Sequence, residues 1–176
     1  MRTSVRVKGF ANSLIIEMDT ISPKIFLVED DAFYKETVRH TLARSNFNNV
    51  RTFSSGQDFL KQFEKEKPDL VILDYHLDDM DGLKIFEKIK STHPDLPVVI
   101  ISGQEKTDVI ANALKMGVID YIGKDKTAFS KLKVIAMQTE AHLQKKQEER
   151  LALLYTIAVF LGLGLIGIIY LIYRMH

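Results

Sequence analysis

The chain has 176 residues, which leaves room for one ordinary domain plus appended segments. It contains no cysteine, so disulfide bonds and thiolate metal sites are excluded, as suits a reducing compartment. Its 24 basic and 23 acidic residues give a net charge of +1, which provides no overall electrostatic attraction for nucleic acid.

Residues 1–22 differ in character from the rest of the chain. They are basic and carry hydroxyl groups up to Lys8, and they contain only a short apolar run at residues 14–16. A secretory signal needs an apolar stretch of at least about 7 residues and a small-residue cleavage site, and both are missing here. We therefore expect a disordered leader, or a mis-assigned start for which Met18 is the true initiator.

Residues 23–138 alternate short apolar runs with helical patterns. Four runs are rich in β-branched or aromatic residues and are too short for helices; they span residues 24–28, 70–73, 97–101 and 121–123. This composition is typical of parallel strands buried on both faces. A further short strand is expected at Val50–Phe53, after the turn residues Asn48 and Asn49.

Five helical patterns separate and follow these strands. They begin at Asp31, Ser54, Gly82, Thr107 and Thr127, and Gly117 is the expected C-cap of the fourth. Residues expected to share one face of a helix are Phe33, Thr37, Val38, Thr41 and Leu42 in the first, Phe59, Leu60 and Phe63 in the second, and Leu83, Phe86 and Ile89 in the third. The alternation predicts an α/β domain with a doubly wound, five-stranded parallel sheet.

Polar side chains stand where four of the apolar runs end. They are Glu29 and Asp30, Asp74, Ser102 and Lys124, with Asp78 and Asp81 shortly after Asp74. Ligands of open α/β sheets bind in the crevice beyond the carboxyl ends of the strands. Three carboxylates meeting there repel one another unless a cation is bound, and their hard oxygens suit Mg²⁺.

The same group of side chains has the parts needed for phosphoryl chemistry. A carboxylate can act as a nucleophile, and a lysine ammonium can pair with phosphate oxygens. For any single Asp after a strand, a helix N-cap or a turn is the ordinary alternative. All the groups together, each at a strand end, favour the site over this alternative.

The segments KIFLVEDD, VILDYHLDDMDG, LPVVIISG and DYIGK, in this order and spacing, resemble the receiver domain of two-component response regulators over residues 24–138. The resemblance implies a flavodoxin-like fold, Mg²⁺ as cofactor, and phosphoryl transfer from the phosphohistidine of a histidine kinase or phosphotransfer protein to an aspartate. Hydrolysis of the phosphoaspartate follows, so the domain is a self-catalysed phosphoacceptor rather than an enzyme acting on other substrates. The implied roles by position are phosphoacceptor for Asp74, metal ligands for Glu29, Asp30, Asp74 and the backbone carbonyl of His76, switch residues for Ser102 and Tyr121, and the lysine of the site for Lys124.

The chain departs from the receiver pattern at two positions. Receivers usually have a proline after the lysine, joined by a cis peptide, and here the residue is Asp125. A cis bond to a non-proline residue costs about 2.5–4 kcal/mol, so this loop is expected to be trans or strained, which bears on the position of the Lys124 amine. Asp78 stands where many receivers have proline, which alters the loop but removes no reacting group.

The C-terminal part of the chain predicts a membrane anchor. Residues 139–150 form a charged continuation of the fifth helix, with too few basic residues to grip a duplex. Residues 151–173 carry no charge and as a helix would span about 35 Å, enough for a hydrocarbon core of about 30 Å. The alternative, a buried core helix, is weak because a run that is apolar on every side would need a second core. Residues 174–176 form a short tail.

The basic residues around the span predict its orientation. Lys145, Lys146 and Arg150 precede it and Arg174 follows it. This bias predicts a single-pass protein of the bacterial inner membrane with the receiver in the cytoplasm. The glycines at 162, 164 and 167 spell G-x-G-x-x-G, but no strand precedes them and no acidic residue follows, so we reject a dinucleotide site. Small residues there would allow close helix approach, and homodimerisation stays open.

Three functions are therefore weighed. The first is a membrane-held signalling receiver whose output is a protein contact or a change in helix association. The second is a receiver-like scaffold that no longer accepts phosphate, which Asp125 keeps open. The third is a Mg²⁺-dependent phosphohydrolase with an aspartyl nucleophile. Haloacid-dehalogenase-type enzymes need a second acid two residues after the nucleophile, and residue 76 is His.

Overall fold

The computed structural model describes residues 21–103 and 107–175, so residues 1–20 of the expected leader, Met18 among them, lie outside the described residues. Strands and helices alternate along the chain. The strands are β1 (Ile25–Val28), β2 (Val50–Phe53), β3 (Leu70–Asp74), β4 (Val98–Ser102) and β5 (Asp120–Gly123). The helices are α1 (Ala32–Arg44), α2 (Gly56–Phe63), α3 (Gly82–Thr92), α4 (Thr107–Lys115) and α5 (Ala128–Met175). The predicted α/β alternation is confirmed.

All pairs of neighbouring strands are parallel, in the order β2-β1-β3-β4-β5. Every residue of β1, β3 and β4 is buried, as their continuous apolar sequences predict for strands covered on both faces. One face of the sheet packs around Phe26 and Phe86, and the other around Leu27 and Leu42. The strand order reverses between β1 and β3, which opens a crevice at their carboxyl ends.

Local hydrogen bonds explain where the helices begin and end. The side chains of Asp31, Ser55 and Asp81 accept hydrogen bonds from backbone N–H groups in the first turns of α1, α2 and α3. Asp81, which the sequence places near Asp74, is therefore the N-cap of α3. Gly117 has a φ of +93°, and its N–H donates to the carbonyl of Leu114, so it ends α4 as predicted.

The face predicted for α1 is wrong at Phe33. Its side chain is 83% exposed, whereas Val38 and Leu42 are fully buried. Position 33 lies in the first turn of the helix, just after the carboxyl end of β1. Thr37 and Thr41 donate hydrogen bonds to carbonyl oxygens one turn earlier in the helix, so their hydroxyls need no partner in the core.

Helix α5 runs unbroken through 48 residues, about 72 Å at 1.5 Å per residue. Its first turns pack on the sheet, and its last buried residue is Thr139. Beyond this point it carries an apolar segment with a mean hydropathy of 2.5, of which no part is buried against the described residues. It is the one described helix that is long and apolar enough to cross a membrane.

Candidate functional site

The parallel sheet brings the predicted site residues to one edge. Glu29 follows β1, Asp74 and Ser102 end β3 and β4, and Lys124 follows β5. Asp74 is aligned with Ile101 across the β3–β4 pair. Glu29 and Ser102 are completely buried, and Asp74 is 3% exposed. Groups that are distant in sequence therefore meet because parallel strands end on the same side.

The ammonium of Lys124 lies between two carboxylates. Its Nζ donates to Asp74 Oδ2 at 2.8 Å and to Glu29 Oε1 at 2.9 Å. It also lies 2.8 Å from Glu29 Oε2, as an ion pair. The backbone N–H of Lys124 donates to the carbonyl of Ser102 at 2.7 Å, which joins the lysine to the end of β4. The lysine side chain is 17% exposed, so these contacts are shielded from water.

Burial and charge shift the pKa values of this pair. Burial raises the pKa of Glu29 to about 7, and the negative charge of Asp74 adds to this, although the hydrogen bond from Lys124 opposes it. Burial alone would lower the pKa of Lys124, but its hydrogen bonds to Asp74 and Glu29 outweigh burial and raise the pKa. The lysine is therefore held in its charged form, and Glu29 holds a proton more readily than an ordinary glutamate.

The acidic residues fit a divalent metal ion. One carboxylate oxygen each from Glu29, Asp30 and Asp74 lies within 4.8 Å of the others. Glu29 Oε2 is buried and lies 2.8 Å from the Lys124 ammonium, and a carboxylate oxygen that faces one cationic group still has a lone pair for a metal ion. Hard oxygen donors in small number are the ligands that Mg²⁺ prefers.

Backbone hydrogen bonds hold the loop that follows β3. The N–H of His76 donates to Asp74 Oδ1 at 3.3 Å, and that of Asp78 donates to Asp30 Oδ2 at 2.9 Å. His76 also forms an isolated antiparallel bridge with Asp81. At Gly82 a Cβ atom would lie 2.3 Å from the carbonyl oxygen of Asp74, so only glycine allows α3 to start this close to β3.

Tyr121 and Ser102, the two predicted switch residues, lie on neighbouring strands. Tyr121 is 8% exposed, and its ring lies edge-on to that of Tyr75, with 6.2 Å between the centroids. Ser102 ends β4 and pairs in register with Gly123 of β5. The aromatic side chain is therefore packed inward, under the loop that follows Asp74.

Asp125 begins α5. The peptide bond before it is trans, since the described residues contain no cis peptide. Its Oδ1 accepts hydrogen bonds from the N–H groups of Thr127 and Ala128 and from the Thr127 hydroxyl. These bonds, led by that of the Thr127 hydroxyl, lower the pKa of Asp125. The residue at the position of the usual proline thus accepts the first N–H group of α5 through its side chain.

Two contacts at the site were not expected from the sequence. The carboxylate of Asp79 accepts hydrogen bonds of 2.9 Å from the N–H groups of both Gly56 and Gln57, which ties the loop after β3 to the start of α2. The ring of Tyr34 lies beside the Lys124 ammonium, 4.8 Å from its centroid. Neither contact has a local sequence signal, because each joins elements whose separation only the packing decides.

Comparisons with known proteins agree with this geometry. Residues 25–148 match the family model described as the response regulator receiver domain. The probable C4-dicarboxylate response regulator DctR of Halalkalibacterium halodurans is 30% identical over 127 residues, which cover 72% of this chain and 55% of DctR. The chemotaxis protein CheY of Listeria monocytogenes is 29% identical over 101 residues, covering 57% of this chain and 85% of CheY.

A solved structure gives the same result. The receiver domain of NtrX from Brucella abortus superimposes with a TM-score of 0.60 at 29% identity, covering 66% of this chain and 98% of that domain. Several curated relatives are longer proteins: the match covers only 26% of the transcriptional regulator NtrC of Proteus hauseri. The resemblance inferred from the strand-end motifs is confirmed, and the chain belongs to the response regulator receiver family of two-component systems.

Proposed function

We propose that this chain is a membrane-anchored receiver that accepts a phosphoryl group on Asp74 and signals through a protein contact. The observation that carries the proposal is the position of the Asp74 carboxylate. It is buried at the end of β3, 2.8 Å from the Lys124 ammonium and beside the acids Glu29 and Asp30. The donor would be the phosphohistidine of a histidine kinase or a phosphotransfer protein.

In the proposed reaction an oxygen of Asp74 attacks the phosphorus of the phosphohistidine. The new O–P bond forms as the N–P bond breaks, and the electron pair of that bond returns to the imidazole nitrogen. Lys124 is placed to pair with one phosphoryl oxygen and the Ser102 hydroxyl to donate to another. Hydrolysis later returns the Asp74 carboxylate and releases inorganic phosphate.

Glu29, Asp30, Asp74 and the carbonyl of His76 would hold Mg²⁺, which when bound supplies positive charge to the phosphoryl oxygens. The chain's own contribution is to keep these acids in place before the metal arrives. The hydrogen bond from the Asp78 N–H holds Asp30, and the Lys124 ammonium balances the charge of Glu29 and Asp74.

The membrane part of the proposal is supported by α5. Its apolar side chains from Leu151 onward are exposed, and contact of this much apolar surface with water is unfavourable. Lys145, Lys146 and Arg150 precede the segment and Arg174 follows, which favours a cytoplasmic receiver at a bacterial inner membrane. Between Thr139 and the apolar segment lie about 18 Å of helix, so the domain would stay near the lipid surface.

The alternative of a scaffold that no longer accepts phosphate is disfavoured, because the Lys124 ammonium lies at the carboxylates of the site. Although the peptide bond before Asp125 is trans, the Nζ atom of Lys124 contacts both Asp74 and Glu29. The phosphohydrolase alternative is disfavoured by His76, which occupies the position of the second acid that such enzymes require.

Phosphorylation of the full-length chain in detergent micelles tests the proposal. We expect labelling by radioactive acetyl phosphate in the presence of Mg²⁺, and loss of labelling with EDTA or in Asp74→Asn. Asp95→Asn is the matched control, because Asp95 is exposed at the opposite end of the sheet, before β4. Equal labelling of Asp74→Asn and the unmodified protein would refute the phosphoacceptor assignment, and an unlabelled Mg²⁺-loaded protein would favour the scaffold.

A further inference from the structure

The Lys124 ammonium has an aromatic neighbour as well as two carboxylates. Its Nζ lies over the ring of Tyr34, 4.8 Å from the centroid. Tyr34 stands in the first turn of α1, and its ring packs against Phe129 at the start of α5, with 5.7 Å between centroids and a tilt of 32°. The lysine, the tyrosine and the phenylalanine thus form a row from the carboxylate site to the first turn of α5.

The ring of Tyr34 interacts with the lysine, and the hydroxyl does not. An ammonium over an aromatic face is attracted by the ring quadrupole, and the attraction grows where water is excluded. The Tyr34 hydroxyl is buried, and no described residue forms a hydrogen bond with it. Burial raises the pKa of Tyr34 to about 12, so the phenol stays neutral beside the acids. A buried hydroxyl without a partner contributes no stability, so removing it should cost little.

The ring of Tyr34 adds a restraint that the backbone around Lys124 does not provide. The residue after it is Asp125, whose side chain is engaged in capping α5. The backbone of Lys124 is held by its bond to the Ser102 carbonyl, but its long side chain has several rotatable bonds that this bond does not restrict. The carboxylates attract the ammonium from one side, and the face of Tyr34 limits its position from another.

We propose that Tyr34 is a positioning residue for Lys124, and that Phe129 holds the Tyr34 ring in place. The ring face keeps the ammonium at Asp74, where it meets the incoming phosphoryl group, and this part rests on the proposed function. The same contacts connect the site to α5, because Phe129 lies in the first turn of the helix that continues to Met175. The relevant property is the aromatic face, so phenylalanine should replace tyrosine and leucine should not.

Three substitutions in the full-length chain in micelles separate these roles. Tyr34→Phe keeps the ring, Tyr34→Leu removes it, and Phe129→Leu removes the support. The first measurement is the proton NMR shift of the Lys124 Hε atoms, assigned from their disappearance in Lys124→Arg. A ring face this close moves these signals upfield, and we expect the upfield shift in the unmodified protein and in Tyr34→Phe, a reduced shift in Phe129→Leu, and no shift in Tyr34→Leu.

The second measurement is the rate of labelling by acetyl phosphate at saturating Mg²⁺. We expect Tyr34→Leu to lower the maximal rate about threefold to thirtyfold, the range that one cation–π contact spans, with Mg²⁺ affinity unchanged because the carboxylate ligands remain. Tyr34→Phe, which keeps the ring, should be labelled at the rate of the unmodified protein. Unchanged Mg²⁺ affinity also shows that Tyr34→Leu is folded at the site.

Two results would overturn the proposal. One is an unshifted Lys124 signal in the unmodified protein, or a signal that Tyr34→Leu leaves upfield. The other is a rate in Tyr34→Phe as low as that in Tyr34→Leu, because the hydroxyl rather than the ring would then matter. Failure of the unmodified protein to be labelled would instead count against the proposed function, while the NMR shift would still decide the contact.

Discussion

The backbone N–H of Asp78 donates a hydrogen bond of 2.9 Å to the Oδ2 atom of Asp30. Asp78 occupies the position at which many receivers carry proline, and a proline has no N–H to donate. The substitution therefore adds a donor to a carboxylate that is expected to bind Mg²⁺. Hydrogen bonds to the ligands of a metal orient them and contribute to affinity.

This relationship predicts different effects for two substitutions at one position. Asp78→Ala keeps the N–H and should leave Mg²⁺ affinity near that of the unmodified protein. Asp78→Pro removes the N–H and should weaken Mg²⁺ binding by about tenfold. Mg²⁺ titration followed by backbone amide NMR shifts measures both. Asp78→Ala also controls for the lost charge, so equal affinities in the two variants would show that the hydrogen bond is not used.

Lys124 should serve the phosphoryl group and not the metal. An ammonium cannot ligate Mg²⁺, and it competes with a cation for Glu29 and Asp74. Lys124→Ala is therefore expected to bind Mg²⁺ at least as tightly as the unmodified protein, but to lose the phosphorylation-dependent NMR changes at Ser102 and Tyr121. Asp30→Asn, by contrast, should lower the affinity for Mg²⁺. A greater loss of Mg²⁺ affinity in Lys124→Ala than in Asp30→Asn would contradict these roles.

The raised pKa of Glu29 predicts how stability depends on pH. Burial raises this pKa from its ordinary value of 4.5 to about 7, so between these values the folded state binds more protons than the unfolded state. In the metal-free protein the free energy of unfolding should fall as pH rises through this window, by up to roughly 3 kcal/mol. Glu29→Gln cannot titrate and should flatten the fall.

Urea unfolding in EDTA at several pH values, followed by the methyl NMR signals of Ile72 and Ile100, measures this dependence. Both isoleucines are fully buried in the sheet and report on the receiver rather than on the apolar part of α5. The exposed Glu87→Gln is the control and should keep the pH slope of the unmodified protein. A Glu29→Gln protein with that same slope would show that Glu29 does not titrate in this window.

Asp79 is expected to stabilise the fold through α2. Its two carboxylate oxygens accept the N–H groups of Gly56 and Gln57, so they act as a helix cap supplied from another loop. Asp79→Ala should lower the free energy of unfolding by about 1 kcal/mol, whereas the neighbouring Asp78→Ala should change it little. Urea unfolding compares the two. Equal stability in both variants would mean that the contact carries no net energy.

The proposed anchor should be separable from the receiver. The core contacts of α5 end at Thr139, so deletion of residues 151–176 is expected to leave a soluble domain that acetyl phosphate still labels. The full-length protein should sediment with membranes and resist carbonate, and Ile166→Arg should weaken its retention, since a charge at mid-span is costly. Protease should digest the receiver in inside-out vesicles and leave it intact in spheroplasts. Full-length protein in the soluble fraction would refute the span.

The sequence by itself determined which segments form the sheet and which side chains stand at the carboxyl ends of its strands. Apolar runs such as residues 70–73 and 97–101 are too short and too β-branched for helices, and the caps Asp31 and Gly117 are local signals, so these elements needed no knowledge of the packing. Parallel strands end on one side, and for this reason Glu29 and Lys124, separated by 95 positions, could be expected to meet.

Only the tertiary structure decided which way individual side chains face within that frame. Phe33 has the helical spacing of a core residue, but its side chain is exposed in the first turn of α1. Asp81 lies near the acidic site residues in sequence, but its side chain caps α3. The carboxylate of Asp79 accepts a hydrogen bond from the N–H of Gly56 at the start of α2. The contact of Tyr34 with Lys124 depends on how α1 and α5 are rotated against the sheet, and that rotation follows from packing between elements rather than from the pattern within either one.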